Sequence, residues 1–319
     1  MRLRTRLTDL LGIDVPIIQA GMSWASSSAP LAIAVSQAGG LGTIAAGPMR
    51  LDDLRAAIRA VKAATSRPFA VNVPLYGKSS AQNLDLALEE GVPVLIASQG
   101  GPKAYIERFR EAGRICLHVV ASAEHARKAE NAGVHGLIAV GAEAGGHPPP
   151  NEVTTLVLVR RLAQTARVPL VAAGGIADGA AIAAMLCLGA DGVQLGTRFI
   201  MTPEASVHDA YKQAVRDADI DATTTVGTAT APVRLLRNAF ADAYRQAASA
   251  DERAAIFSAS TLKMAALEGD VARGKVEAGQ SAGLIDDIVP AGELVARLMR
   301  EFAAAVERVH ALLPQREKV

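Results

Sequence analysis

The sequence predicts a (β/α)8 (TIM) barrel, and two observations support this fold class. From residue 16 to residue 199, short apolar runs of strand length alternate with longer amphipathic segments, and eight strand-like runs can be counted. A polar residue or a glycine follows nearly every strand-like run, as at the carboxyl ends of barrel strands. A doubly wound parallel sheet is the alternative, and the count of eight favours the barrel.

The predicted strands are short apolar runs, as expected for a parallel sheet with both faces covered. They are Pro16–Gly21, Leu41–Ala46, Phe69–Pro74, Val92–Ala97, Ile115–Val120, Leu137–Val140, Pro169–Ala173 and Gly192–Leu195. Glycines end several of the helices between them, as C-cap residues do. The predicted helices are Ser28–Ala38, Leu51–Thr65, Ala81–Glu90, Ala123–Ala132, Val153–Ala166 and Gly179–Leu188.

The pattern changes after the eighth strand. Residues 222–231, rich in Thr, Ala and Gly, predict an irregular loop, whereas residues 238–248 and 251–267 predict helices. Apolar residues at helical spacing predict a last long helix from about Gly292 to Leu312. The sequence therefore predicts three parts: a barrel at residues 1–219, a mostly helical lid or insertion at residues 220–288, and a C-terminal helix within residues 289–319 that returns to the barrel.

Composition narrows the class of partner. Half of the residues are hydrophobic but only 3% are aromatic, so small aliphatic side chains must build the core. The 33 basic and 32 acidic residues nearly balance, and without a basic run neither nucleic acid nor a membrane surface is an expected partner. We expect Cys116 and Cys187 to be buried thiols that form no metal site. No apolar stretch could span a bilayer and no signal peptide is recognised, so we expect a cytoplasmic protein.

The loop after Leu137–Val140 has a composition suited to catalysis. It spans Gly141–Pro150 and includes three glycines, His147 and three prolines. Glycine lets a ligand approach the backbone closely, and proline prevents regular structure from continuing. His147 is the one residue here whose side chain titrates near neutral pH. The composition of this stretch alone fits a surface loop without function and a catalytic loop equally well. Its position directly after a strand favours a catalytic role.

Two further loops follow the last two predicted strands. Gly174 and Gly175 come after the seventh strand, and Gly196 and Thr197 come after the eighth. In (β/α)8 barrels these loops, together with a helix N-terminus, frequently bind a phosphate through backbone N–H groups. The alternative is that the glycines only form tight turns. We expect a phosphate-containing ligand here.

Five motifs in order along the chain resemble the nitronate monooxygenase family, formerly called 2-nitropropane dioxygenases. They resemble its relative, the FMN-dependent enoyl-acyl-carrier-protein reductase, equally well. The motifs are Pro16–Met22, Asn72 in Val-Asn-Val-Pro, Glu143–His147, Ala173–Ile176 and Gln194–Phe199. Each motif is weak alone, whereas five at the expected strand ends are strong, and the resemblance continues to Ile285.

The resemblance implies a barrel that holds FMN non-covalently at the carboxyl ends of its strands, and no metal. It implies oxidation of alkyl nitronates by O2, through a flavin semiquinone, to a carbonyl compound and nitrite. His147 is the implied catalytic residue, as a base or as a substrate-orienting group. The implied cofactor-binding residues are Gly21, Met22, Asn72, Gly145, Gly146, Ala173, Gly174, Gly175, Gln194, Gly196 and Thr197.

Other interpretations stay open at this point. An NAD(P)H-dependent FMN reductase for enoyl-acyl-carrier-protein or a quinone is the alternative, because residues 268–280 resemble the lid of the reductase branch. A flavin-binding protein without turnover is a third hypothesis, against which His147 argues. The protein is expected to be a monomer or homodimer. Three departures from the family pattern bear on the substrate more than on the flavin: Pro148–Pro150, Pro74 and Val119.

Several remaining residues have two possible roles. His118 could point to the barrel mouth or pack inside, and Glu143 could bond the His147 loop or contact the lid. Trp24 could touch substrate or pack, and His208 lies near the mouth. His125, His135 and His310 are expected in solvent.

Overall fold

The computed structural model describes residues 2–313, apart from the side chain of Ala104, and it confirms the (β/α)8 barrel. The barrel strands are β1 (Ile17–Gln19), β2 (Gly42–Ala45), β3 (Phe69–Pro74), β4 (Val94–Ser98), β5 (Ile115–Val120), β6 (Gly136–Val140), β7 (Leu170–Ala173) and β8 (Gly192–Leu195). All pair in parallel with their neighbours in sequence, and β1 pairs with β8. A parallel bridge between Ile18 and Leu41 closes the ring between β1 and β2.

Helices connect the strands and cover the outside of the barrel. They are α1 (Arg6–Leu11), which precedes β1, then α2 (Ala29–Gln37), α3 (Leu51–Ala64), α4 (Ser80–Glu89), α5 (Ile106–Glu111), α6 (Ala123–Ala132), α7 (Thr155–Ala163) and α8 (Gly179–Cys187). Their ends follow the expected capping chemistry. Asp178 accepts a hydrogen bond from Ala181 N at the start of α8, and Gly133 ends α6 in the left-handed region.

Helix α1 closes the amino-terminal end of the barrel. Its buried Leu7 and Leu11 belong to the cluster that fills the barrel interior, together with Ile96 and Ile138. Leu7 packs against the start of β8, where a methyl group at Gly192 would lie 2.4 Å from Leu7 Cδ2. Ligands therefore reach the barrel from the carboxyl ends of the strands.

The chain after β8 forms α9 (Thr197–Ile200), α10 (Asp209–Arg216), β9 (Thr223–Thr228), β10 (Ala231–Leu236), α11 (Ala239–Gln246), α12 (Ala250–Ala259) and α13 (Leu262–Ala266). The predicted loop at residues 222–231 is wrong, because β9 pairs with β10 as an antiparallel hairpin. Its threonines are β-branched and suit a strand. The single helix predicted at residues 251–267 is also wrong. It breaks before Thr261, whose side chain caps α13.

The last helix, α14 (Ala291–His310), packs on α8. A methyl group at Gly179 would lie 2.1 Å from Phe302 N, so the two helices touch through their backbones. The division of the chain into three parts at residues 219 and 288 stays a prediction. Residue 1 of the first part and residues 314–319 of the last part lie outside the described residues. We keep the name lid for residues 220–288.

The two cysteines differ in their exposure. Cys116 is buried as predicted, but the prediction for Cys187 is wrong, because this residue ends α8 and is exposed. Across residues 2–313, no helix has the length and apolar character that crossing a membrane requires.

Candidate active site

A cavity of about 540 Å³ opens at the carboxyl ends of the barrel strands. Loops after β1, β2, β3, β4, β6, β7 and β8 line it, and residues of α9, α10 and the lid complete its wall. All twelve predicted site residues line this one cavity: His147, Gly21, Met22, Asn72, Gly145, Gly146, Ala173, Gly174, Gly175, Gln194, Gly196 and Thr197. The barrel thus brings the predicted residues together, while their individual roles stay predictions.

The His147 loop is held from both sides. Gly146 exchanges two backbone hydrogen bonds with Arg234 of β10, at 3.0 Å and 2.7 Å. Gly146 has φ +69°, a conformation that glycine adopts without strain. On the other side, Pro148 and Pro149 are buried. The hairpin, which the sequence did not predict, therefore fixes the backbone next to the histidine.

The His147 imidazole is exposed to the cavity, with the Tyr76 ring 6.2 Å away between centroids and tilted by 45°. Enclosure by the cavity walls, and secondly the positive charge of Lys275, lower the pKa of His147 below its ordinary value of 6.5. At neutral pH the ring is therefore uncharged. It can accept a proton from one nitrogen and donate a hydrogen bond from the other.

The loop after β7 needs its two glycines. Gly174 and Gly175 have φ +104° and +72°, in the left-handed region. A methyl group at Gly174 would lie 2.9 Å from Thr155 Oγ1, and one at Gly175 would lie 3.3 Å from Glu143 Cβ. The loop therefore presents backbone rather than side chains to the cavity.

The loop after β1 approaches β3 closely. A methyl group at Gly21 would lie 2.4 Å from Asn72 Cβ, so no other residue fits at position 21 without movement. Asn72 Nδ2 donates to Ile96 O at 3.2 Å, which orients the amide. Two residues of the cavity wall, Trp24 and Gln99, have positive φ, and such backbone outliers cluster at binding sites.

Glu143 connects the His147 loop to two other segments. Its carboxylate accepts hydrogen bonds from Thr155 N at 2.9 Å and from Thr155 Oγ1 at 2.8 Å, at the start of α7. Its backbone oxygen accepts from Gln280 N of the lid at 2.9 Å. Glu143 thus bonds the helix after its own loop and contacts the lid through its backbone.

We expect Glu143→Gln to lower the free energy of unfolding by about 1 kcal/mol, because a neutral amide replaces a charge-assisted acceptor at a helix N-terminus. Urea denaturation measures the change. Glu111→Gln, at the exposed end of α5, is the matched control and should unfold like the original protein. Equal midpoints for the two variants would contradict the capping role of Glu143.

The sequence did not identify three titratable residues of the cavity wall. Glu277 lines the cavity, and burial raises the pKa of its carboxyl to about 7, against a smaller opposing effect of Lys275. Tyr211 lines the cavity and donates from its hydroxyl to Glu277 O at 2.6 Å. Tyr76 is the third. The only signal in the sequence for Glu277 is an acidic residue between the apolar residues 276 and 278.

The other histidines lie outside the cavity. His118 is packed inside, with Nδ1 2.8 Å from Tyr105 Oη and Nε2 3.0 Å from Gly100 O. His208 caps α10 by accepting from Ala210 N. The expectation that His135 is solvated is wrong, because it is half-buried and accepts from Cys116 N at 3.0 Å. In the described part of the chain no group of three or more His, Cys, Asp or Glu could hold a metal.

A closed (β/α)8 barrel with glycine loops and a titratable ring around one cavity defines a small-molecule enzyme. The chain belongs to the nitronate monooxygenase family, whose sequence profile matches residues 4–82 and 74–301. It is therefore an oxidoreductase of this family, and the family implies a flavin cofactor.

Three similar proteins cover almost the whole chain. The (3aS,4S,5R,7aS)-5-hydroxy-7a-methyl-1-oxo-octahydro-1H-indene-4-carboxyl-CoA dehydrogenase of Mycobacterium tuberculosis is 34% identical, over 98% of this chain and 100% of that protein. The nitronate monooxygenase of Paraburkholderia phytofirmans is 34% identical, over 95% and 96% of the two chains. The structure of FabK from Thermotoga maritima has a TM-score of 0.92 at 41% identity, covering 98% of this chain and 100% of that one.

Proposed function

We propose that the protein is an FMN-dependent nitronate monooxygenase, which oxidises alkyl nitronates with O2 to a carbonyl compound and nitrite. The observation that carries this proposal is the uncharged His147 ring, exposed in a cavity whose other predicted lining consists largely of glycine loops. A binding protein without turnover needs no titratable group there. The family match and the Paraburkholderia relative support the same reaction.

The residues present fit FMN. A flavin phosphate is an anion, and Gly174 and Gly175 offer backbone N–H groups that no Cβ covers. Gly196 leaves comparable space, since a methyl group there would meet nothing nearer than Met22 Sδ at 3.6 Å. Thr197 Oγ1 accepts from Gly279 N at 3.0 Å and keeps its own O–H to donate. When bound, the flavin would transfer electrons from the substrate to O2.

The remaining predicted residues would surround the flavin ring and ribityl chain. We place Gly21, Met22 and Asn72 along one part of the flavin ring and ribityl chain, and Gly145 and Gly146 along another part. Ala173 precedes the phosphate loop, and Gln194 lies at the end of β8 beside it. Gly21 and Gly145 allow close packing within the wall, because a methyl group at either position would overlap Asn72 or the backbone of residues 278–279.

His147 has two roles that depend on the form of the substrate. Toward a nitronate anion, its N–H would donate a hydrogen bond to a nitro oxygen and orient the reacting carbon. Toward a neutral nitroalkane, its unprotonated nitrogen would take the α-proton as a general base. The general-base role requires the uncharged ring that the lowered pKa provides, whereas the orienting role needs an N–H, which the uncharged ring also has.

A second candidate is an NAD(P)H-dependent FMN reductase that acts on an enoyl thioester or a quinone. Two similar proteins favour it: the mycobacterial dehydrogenase acts on a CoA thioester, and the structure of FabK, an enoyl-acyl-carrier-protein reductase, superposes with a TM-score of 0.92. In that reaction His147 would move a proton to or from the carbon next to the thioester.

Anaerobic mixing separates the two candidates. Protein loaded with FMN is mixed with the anion of nitroethane and, separately, with NADPH, while the visible absorbance of the flavin is followed. We expect a rapid spectral change with the nitronate, and nitrite after admission of O2. Rapid bleaching by NADPH without a response to nitronate would establish the reductase instead. A protein that cannot be loaded with FMN would overturn both.

The pH dependence of kcat/KM for neutral nitroethane provides another prediction. Because His147 acts as a base in its uncharged form and its pKa is lowered, kcat/KM should rise with pH through a value below 6.5 and then level off. Glu277, with a pKa of about 7, is a second group of the cavity wall that titrates near neutral pH, so the Glu277→Gln variant is the control and should keep this rise. A rise found only above pH 6.5, or one lost with Glu277, would contradict the role of His147.

A further inference from the structure

The lid contributes a carboxyl group to the cavity that the proposed reaction does not use. Glu277 borders the residue before His147, because a methyl group at Gly146 would lie 3.1 Å from Glu277 Oε2. The two neighbours of Glu277, Val276 and Ala278, are buried in a lid cluster. Glu277 itself lines the cavity that also contains His147.

The backbone around Glu277 is fixed at several points. Leu236 N donates to Val276 O at 2.9 Å, and Tyr211 Oη donates to Glu277 O at 2.6 Å. Gly279 N donates to Thr197 Oγ1 at 3.0 Å. The barrel, α10 and the hairpin therefore all hold this segment, and the carboxyl has a defined place in the wall.

The charged and titratable groups that interact with Glu277 are Lys275 on its own segment, Tyr211 on α10 and Tyr76 after β3, and His147 after β6 lines the same cavity. Lys275 Nζ lies 3.4 Å from the centroid of the Phe257 ring, and within residues 2–313 it forms no ion pair with Glu277. The pKa of the Glu277 carboxyl is set by burial and by the charge of Lys275, with no hydrogen bond to the carboxyl oxygens among the causes. The described protein thus leaves this carboxyl without a donor.

We propose that Glu277 is a specificity-determining residue, whose carboxyl accepts a hydrogen bond from an ammonium, hydroxyl or amide group on the substrate chain. It would also exclude substrates that carry an anionic group at this position. The carboxyl lies on the cavity wall with no donor from the described protein, so a ligand that brings a donor gains affinity and one that brings a like charge loses it. The proposal rests on the proposed function, since it assumes a small molecule that reacts next to His147.

The test measures binding rather than turnover. Butylammonium, butanamide and butanoate have similar lengths and do not react, and isothermal titration calorimetry gives their dissociation constants on FMN-loaded protein. The pH is about 8.5, where both the Glu277 carboxyl and butanoate are ionised and butylammonium remains protonated. We expect the original protein to bind butylammonium at least about tenfold more tightly than butanoate.

Two variants and a control assign the preference to this residue. Glu277→Gln keeps the shape, Glu277→Met removes the polar group, and each should bring the two dissociation constants within about threefold of each other. Glu268→Gln changes an exposed lid residue and should keep the preference. An unchanged ratio in the Glu277 variants, no preference in the original protein, or no binding of any of the three ligands would overturn the proposal.

The proposed function and this inference fail in distinguishable ways. If the flavin of the original protein does not respond to nitronate but the ligand preference depends on Glu277, the proposed reaction is wrong and the proposed role of Glu277 in specificity is supported. If nitronate is oxidised and the preference does not depend on Glu277, the reverse holds. A matched pair of substrates, 1-nitrobutane and 4-nitrobutanoate, extends the same comparison to kcat/KM.

Discussion

The His147→Ala variant should retain its flavin and lose turnover by about 10²–10⁴-fold, the usual contribution of a general acid–base group. The flavin is retained because the imidazole is exposed in the cavity and the loop backbone is held by Arg234 and by the buried prolines. Turnover is lost because the proposed reaction uses the His147 ring to take the α-proton or to orient the nitronate. Nitrite release, divided by the bound flavin measured by absorbance, gives the change.

His125→Ala is the matched control for this variant. His125 is exposed on α6, outside the cavity, so its removal should change neither flavin content nor turnover. If His147→Ala turned over normally at full flavin occupancy, the histidine would have no place in the mechanism. If the variant instead lost its flavin, the ring would serve binding rather than proton transfer.

The barrel could be predicted from the sequence because its strands are buried on both faces. A run such as Ile115–Val120 is apolar apart from His118, and its observed bounds are the predicted ones, as are those of Phe69–Pro74 and Gly192–Leu195. Once the strands are counted, topology alone brings their carboxyl ends together. His147 and Gly174 could therefore be placed at one cavity although 27 positions separate them in the sequence.

The hairpin and Glu277 could not be predicted in the same way. Strand β9 is rich in threonine and β10 begins with Ala-Pro, and the two strands are fixed by pairing with each other and by the bridge from Arg234 to Gly146. Glu277 reaches the cavity because Thr197 and Tyr211 hold its segment. Such contacts join distant parts of the chain and leave no periodic pattern in the sequence.

The Gly145→Ala variant is expected to lose flavin affinity by at least about tenfold and stability by about 1–3 kcal/mol. The added methyl group would lie 2.5 Å from Ala278 C and from Gly279 N. These are backbone atoms, so no side-chain rotation relieves the overlap and the lid segment must move. That movement would weaken the bonds from Gly279 N to Thr197 Oγ1 and from Gln280 N to Glu143 O.

Thermal unfolding of the apoprotein and titration with FMN separate the two effects. Gly101→Ala is the control, because a methyl group there meets nothing within 4 Å and its φ of −95° suits alanine. Wild-type affinity together with lower stability would mean that Gly145 serves only the packing of lid against barrel. If both properties fall, the contact between Gly145 and residues 278–279 both supports the lid and shapes the flavin wall. If neither falls, the close approach at Gly145 has no energetic importance.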